Sequence, residues 1–238
     1  GNYNNVGART LGGFDQMTAI VGGVWDTLLG EGRRFWIVAS SDSHFHYAEP
    51  VRQGSDFWPG EFHKTYVRAY PTYEDVLDGL RQGRVFVAAG GLVTELDVTA
   101  RARPGGRAEL GETLSVARGD DVAVTIRFRD PSTPNHYGQN PSVQRVDLIV
   151  GGVNGRGGDR NADRNSTTRV VERFGPSAWV QDGEYRIIET TVPGAGGDQY
   201  LRVRGTSTED PEPPMDEPGE NPWSDLGFYA NPIFLDVM

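Results

Sequence analysis

Phe35-Trp36-Ile37-Val38-Ala39-Ser40-Ser41-Asp42-Ser43-His44-Phe45-His46 is the stretch on which the reading of the chain turns. Five apolar residues run directly into a polar knot. A short continuous apolar run with an aromatic start predicts a buried strand over Phe35–Ala39, of the kind found in parallel sheets. In α/β sheets chemistry sits just beyond the carboxyl ends of strands, and Asp42 and His44 stand there. Residues two apart on an extended chain point the same way. A carboxylate and an imidazole so placed suit Zn, Mn or Fe. The same residues also fit a serine-rich surface turn in which Asp42 caps the next segment and His44 is incidental, and so short a pattern does not choose between the two.

Around this stretch, helix and strand signals alternate. Residues 1–13 are rich in Gly and Asn and read as a loop. Met17, Ile20, Val21, Val24, Leu28 and Leu29 predict one helix from Phe14 to Gly32, weakened by Gly22-Gly23 and stopped at Gly30 or Gly32, with Trp25 and Leu28 against a sheet. Phe45 to Lys64 is a loop carrying Tyr47, Phe57, Trp58 and Phe62, which either wall a substrate site or seal the end of the sheet. Thr65–Ala69 predicts a second strand. Thr72 caps a helix whose inner face is Val76, Leu77 and Leu80 and whose stop is Gly83. Arg84–Ala89 predicts a third strand. Strands alternating with helices imply βαβ units.

From Gly90-Gly91 onward the period changes to two. Leu92–Ala102, Asp121–Asp130, Gln144–Gly151, Thr167–Phe174, Tyr185–Val192, Gln199–Gly205 and Asn231–Val237 alternate apolar with polar residues, separated by turn signals such as Asp182-Gly183. Short strands at this spacing predict an antiparallel β-sandwich without a helix of three turns. The fold class is therefore α/β followed by all-β, with residues 1–91 as one unit and 92–238 as the other.

Two loops interrupt the β part. In Asp159-x-Asn161-x-Asp163-x-Asn165-x-Thr167, oxygen side chains at alternate positions resemble the start of a calcium loop, with Asp159, Asn161 and Asp163 as first ligands. Arg164 stands where such a loop wants Gly and Val170 where it wants Glu, so a polar turn fits as well. Ser207–Asp225 holds seven acidic residues, no basic one and several prolines, and reads as a solvated excursion. The glycines of Gly151-Gly152-x-Asn154-Gly155-x-Gly157 follow a sandwich strand and open no helix, which makes a poor phosphate loop.

Composition bounds the partners. The 238 residues carry a formal charge of −10, which argues against a nucleic-acid surface. No apolar run is long enough for a transmembrane helix. Cysteine is absent, so thiolate metal sites and disulfides are excluded. That fits both a secreted or periplasmic location, the favoured reading, and a cytoplasmic one. Residues 1–91 hold 8 basic and 10 acidic side chains, and residues 92–238 hold 15 and 23, so the acidity belongs mainly to the second part.

The first third resembles the end of the PHP family (polymerase and histidinol phosphatase domains), in particular metal-dependent phosphoesterases with a C-terminal β-domain. The resemblance rests on Trp25-Asp26-x-Leu28-Leu29-x-x-Gly32, Ser41-Asp42-Ser43-His44, Lys64-Thr65-Tyr66-Val67 and Leu80-Arg81-x-Gly83-Arg84-Val85-Phe86-Val87. Tyr200–Gly205 and Ala230-Asn231-Pro232-Ile233-Phe234 resemble late strands of such proteins. It implies a distorted βα barrel with a centre of two or three metals, Zn, Mn or Fe. Its last motif, Asp-x-His, falls on Asp42 and His44 as metal ligands. Lys64, Arg84 and Trp58 become candidates for binding a small phosphate-ester substrate. The family's early His-x-His and further ligands are not found among the 41 residues before Asp42, and His44-Phe45-His46 is followed by too few histidines to be that early motif. The expectation is therefore the C-terminal portion of such an enzyme, needing a preceding segment of the same protein for activity. A non-catalytic β-sandwich that binds carbohydrate or a cell surface is the alternative.

Overall fold

The computed structural model describes residues 9–41, 57–102, 105–157, 159 and 161–238. Its first helices are short: α1 is Gln16–Ala19 and α2 is Val24–Gly30. The single helix predicted over Phe14–Gly32 is broken at Gly22-Gly23. Gly22 takes φ +75°, a region that favours glycine, and its N–H donates to Asp26 Oδ2 at 2.7 Å. That bond turns the chain and starts α2.

Residues 35–39 are not a ladder strand, which corrects the reading of the opening stretch. Their backbone groups go to side chains instead. Trp25 Nε1 donates to Phe35 O at 2.9 Å, and Ile37 N donates to Asn231 Oδ1 at 2.9 Å. Thr65 Oγ1 accepts from Ala39 N and donates to Ala39 O. Alternate residues thus spend their backbone groups on three separate side chains, with no second strand alongside. Nor is the run buried throughout, since Phe35 is 43% and Val38 66% exposed.

Strands β1 (Lys64–Val67) and β2 (Val85–Ala88) flank α3 (Tyr73–Arg81). They pair antiparallel, Thr65 opposite Val87, where βαβ units predict parallel pairing. The connection returns to the end it left, with Arg68 N bonded to Arg84 O, instead of crossing the sheet. Thr72 caps α3 as predicted, accepting from Asp75 N. Of the residues of α3, however, only Gly79 is buried; Leu77 and Leu80 are half-buried and Val76 is exposed.

The remaining strands are β3 (Glu95–Ala102), β4 (Gly106–Glu109), β5 (Thr113–Val116), β6 (Val122–Arg129), β7 (Arg145–Gly152), β8 (Arg169–Phe174), β9 (Val180–Asp182), β10 (Tyr185–Val192), β11 (Gln199–Thr206), β12 (Gly227–Ala230) and β13 (Ile233–Val237). One sheet has eight strands. In it β1-β2-β12-β11-β13-β5 run in that order and β7, carrying β8, takes the other edge of β11. The second sheet is β4-β3-β6-β10-β9. The eight-stranded sheet draws from both sides of residue 91, since β2 pairs with β12. The β13–β5 pair is parallel and the other ladders are antiparallel. Val98, Ile126 and Phe128 of the second sheet share a core with Leu148, Val203 and Phe228 of the first. The chain is mostly β, in two sheets, as a β-sandwich requires.

Polar groups pin α2 to this frame. Arg202 of β11 reaches both oxygens of Asp26, at 2.8 and 2.7 Å, and Tyr200 Oη donates to Asp26 Oδ1. The stretch Ser207–Asp225 is also more tightly held than its composition predicts. Asp216, Trp223 and Asp225 are buried, and Leu11 bridges Met215. Apolar anchors at Trp223 and Leu226 fold this acidic segment back onto the sheet.

Candidate metal centre

Asp42 and His44 lie outside the described residues. Ser41 is buried, and its carbonyl accepts from Phe57 N at 3.1 Å. Residues 41 and 57 are therefore adjacent in space. Phe57 and Phe62 stack at 4.6 Å, and Trp223 meets both edge-on at 5.9 and 4.8 Å. Of the aromatics read as wall or seal, these two seal the sheet's end, whereas Trp58 is 58% exposed.

Lys64 opens β1, opposite Ala88, while Arg84 precedes the far end of the pair, where Val67 meets Val85. About four strand residues, roughly 13 Å, separate the two positions along the ladder. Arg84 is also engaged by Asp78 at 2.8 Å. The structure thus does not bring Lys64 and Arg84 to one point. Arg84 instead lines a cleft of about 240 Å³ between the sheets, with Tyr66, Phe86, Glu95, Asp97 and Glu109. Tyr66 and Phe86 stack there at 4.5 Å.

Asp159, Asn161 and Asp163 are exposed on their loop. Asp159 Oδ1 accepts from Asn161 N at 2.9 Å, an Asx turn. Asn165, next in the alternation, is committed elsewhere. Its Nδ2 donates to the carbonyls of Asp26 and Gly152, tying the loop to α2 and β7.

Among the described residues, the cluster with metal-ligand chemistry is one the sequence reading treated as solvated. Asp216, Glu220 and Asp225 each place a carboxylate oxygen within 4.8 Å of the other two. Gly12 and Gly13, both at positive φ, aim consecutive N–H groups at Asp216, at 3.1 and 3.0 Å. Such backbone nests hold anions. Glu220 accepts from Glu217 N at 2.9 Å and from Ser224 Oγ at 3.4 Å. Asp225 is 5% exposed, and neither of its oxygens has a hydrogen-bond partner among the described residues. Burial, and next the charges of Asp216 and Glu220, push Asp225 up to about 8. Burial likewise raises Asp216. The sequence signal for this cluster is the apolar pair Trp223 and Leu226 at the end of an acidic stretch; its link to Gly12-Gly13 is not local.

No family model matches the chain, and no curated protein matches it. Among solved structures, a chitin binding domain from Burkholderia pseudomallei is similar at 11% identity with a TM-score of 0.27. The match covers 52% of this chain and 56% of that one, so this chain spans little more than half of that domain's length.

Proposed function

We propose that the chain is the C-terminal portion of a metal-dependent phosphoester hydrolase of the PHP kind, with Asp42 and His44 as its last metal ligands. The observation that carries this reading is the motif Ser41-Asp42-Ser43-His44 directly after a segment whose backbone is fixed by Trp25, Asn231 and Thr65. A pinned, buried Ser41 gives the two ligands a rigid base, which a catalytic constellation requires. Divalent ions in such a centre supply an activated water and polarise a phosphoryl oxygen. Asp42 and His44 are two ligands where a catalytic centre needs three or more, so the remainder come from a preceding segment of the same protein. Trp58, exposed beside Phe57, and Lys64, next to the Thr65 that holds the Ala39 backbone, are assigned to a small phosphate-ester substrate in this reading.

A second reading rests on the cleft between the sheets. Its stacked Tyr66 and Phe86 with a charged rim suit a sugar ring on a non-catalytic binding module. The test joins the chain to its preceding segment, loads Mn or Zn, and follows a chromogenic phosphodiester. Turnover that disappears in Asp42→Ala and His44→Ala is expected. Turnover indifferent to both, or none at all together with polysaccharide binding lost in Tyr66→Ala, overturns the hydrolase reading.

A further inference from the structure

We propose that Asp216, Glu220 and Asp225 bind one calcium ion, a site that does not draw on Asp42 or His44. Calcium–oxygen bonds run from 2.3 to 2.6 Å, so two ligands of one ion lie at most about 5 Å apart. The three carboxylate oxygens meet that limit, since all lie within 4.8 Å of one another.

Proximity of acids alone would not argue for an ion; the state of Asp225 does. Its side chain is buried, both oxygens lack a donor among the described residues, and one of them faces the other two carboxylates. Burying a carboxylate without a partner is costly. The nearby cations pair with other carboxylates, Arg9 with Glu217 at 2.6 Å, Arg145 with Asp147 at 3.0 Å, and Arg204 with Asp147 and Glu212 at 2.9 and 2.7 Å; Arg9 Nε and Arg145 Nη1 keep a free donor, yet neither bonds to Asp225. Asp216 is already aimed by the Gly12-Gly13 nest, and each of its oxygens keeps a lone pair for a metal.

The donor set selects the ion. Three carboxylates with no imidazole or thiolate suit a hard cation, not Zn. Magnesium demands a near-ideal octahedron and keeps several waters, whereas calcium accepts an irregular cage of carboxylates, so three clustered carboxylates favour calcium.

The experiment is thermal unfolding of the full chain in EDTA, CaCl2 and MgCl2, with calorimetric titration of calcium. One calcium per chain is expected, with an upward midpoint shift of about 5–10 °C at a hundred-fold excess over Kd. Magnesium should shift it less. Asp225→Asn should abolish the calcium shift, because a carboxamide cannot supply the charged ligand. If Asp225→Asn does not fold, Glu220→Gln at the half-buried ligand should weaken calcium binding about tenfold or more. No calcium shift in the parent chain, an equal or larger shift with magnesium, or a shift unchanged in both variants overturns the proposal. Asp42→Ala should leave the calcium shift intact, so failure of the hydrolase reading and failure of this one are distinguishable.

Discussion

Asp26 and Arg202 meet through two hydrogen bonds where neither side chain touches water, and Arg202 also lies over the Trp25 ring at 4.8 Å. A buried pair of this kind contributes little over an apolar substitute, yet removing one partner strands the other charge. Asp26→Asn keeps the volume and removes the charge, so it should cost roughly 3–5 kcal/mol in urea unfolding. Asp26→Leu with Arg202→Met should recover much of that loss; a cost below about 1 kcal/mol for Asp26→Asn would show that the pair is not what anchors α2. His63 is a second residue with a definite expectation. Its Nε2 is shielded from water and has no partner among the described residues, and its ring meets Phe14 at 5.1 Å and Phe62 at 4.6 Å. Burial pushes it down to about 4, against a partial lift from its bond to the Gly13 backbone. Between about pH 6.5 and 4 the unfolded chain therefore binds the proton that the folded chain refuses. Its contribution to stability is complete above about pH 6.5 and falls by about 3 kcal/mol as the pH drops to 4. His63→Gln should remove that slope, and parallel stability–pH curves for the two proteins would contradict it.

At the scale of elements, legibility followed the period of the pattern. Val122, Val124, Ile126 and Phe128 face inward in β6 while the residues between them are half-buried or exposed, so one buried face writes itself as alternation. β10 occupies Tyr185–Val192, the bounds read from the residues. Of the strands of three or four residues, β1 and β2 are readable from apolar runs bounded by a helix signal between them, whereas β4, β5, β9 and β12 carry too few alternations and no such bounds. β12 is buried at all four positions and has no polar face to reveal it. The opposite error arose at Phe35–Ala39, where apolar residues suggested a strand but the backbone partners are the side chains of Trp25, Asn231 and Thr65. No local pattern names a partner nearly 200 residues away. The helix over residues 14–32 failed at Gly22-Gly23, where periodicity favoured continuation and a positive φ ended it. Of the candidate centres, the motif at Asp42 and His44 is read from two neighbouring ligand types in the sequence and lies outside the described residues. The cluster of Asp216, Glu220 and Asp225 was not legible, because acidic composition reads as solvent-facing until Trp223 and the Gly12-Gly13 nest bury it.

Taken whole, the two sheets share a continuous core with part of the first third. Large apolar side chains are exposed in the β part at Val180, Met215 and Met238, and more densely between residues 35 and 76, at Phe35, Val38, Trp58, Tyr70, Tyr73 and Val76, where the face of α3 predicted to point inward is only half-buried or exposed. An amphipathic helix with an uncovered apolar face commonly marks a surface that another segment covers. Under the hydrolase reading that segment is the preceding part of the same protein, the part that also brings the missing ligands. The chain by itself should then bind an apolar dye, self-associate, and fail to hydrolyse phosphate esters with Mn or Zn added. Supplying the preceding segment should suppress dye binding and raise metal uptake together. Val38→Asp and Val76→Asp separate this from simple instability. Both positions are exposed, so each change should cost the isolated chain no more than about 0.5 kcal/mol. In the assembled protein the same positions become interface, where burying one such side chain is worth about 1.5–3 kcal/mol, and the affinity for the preceding segment should fall about tenfold or more. Equal affinity in both variants, or dye binding unchanged by the segment, would mean that these residues are ordinary surface and that the β-rich chain is a module complete without the barrel.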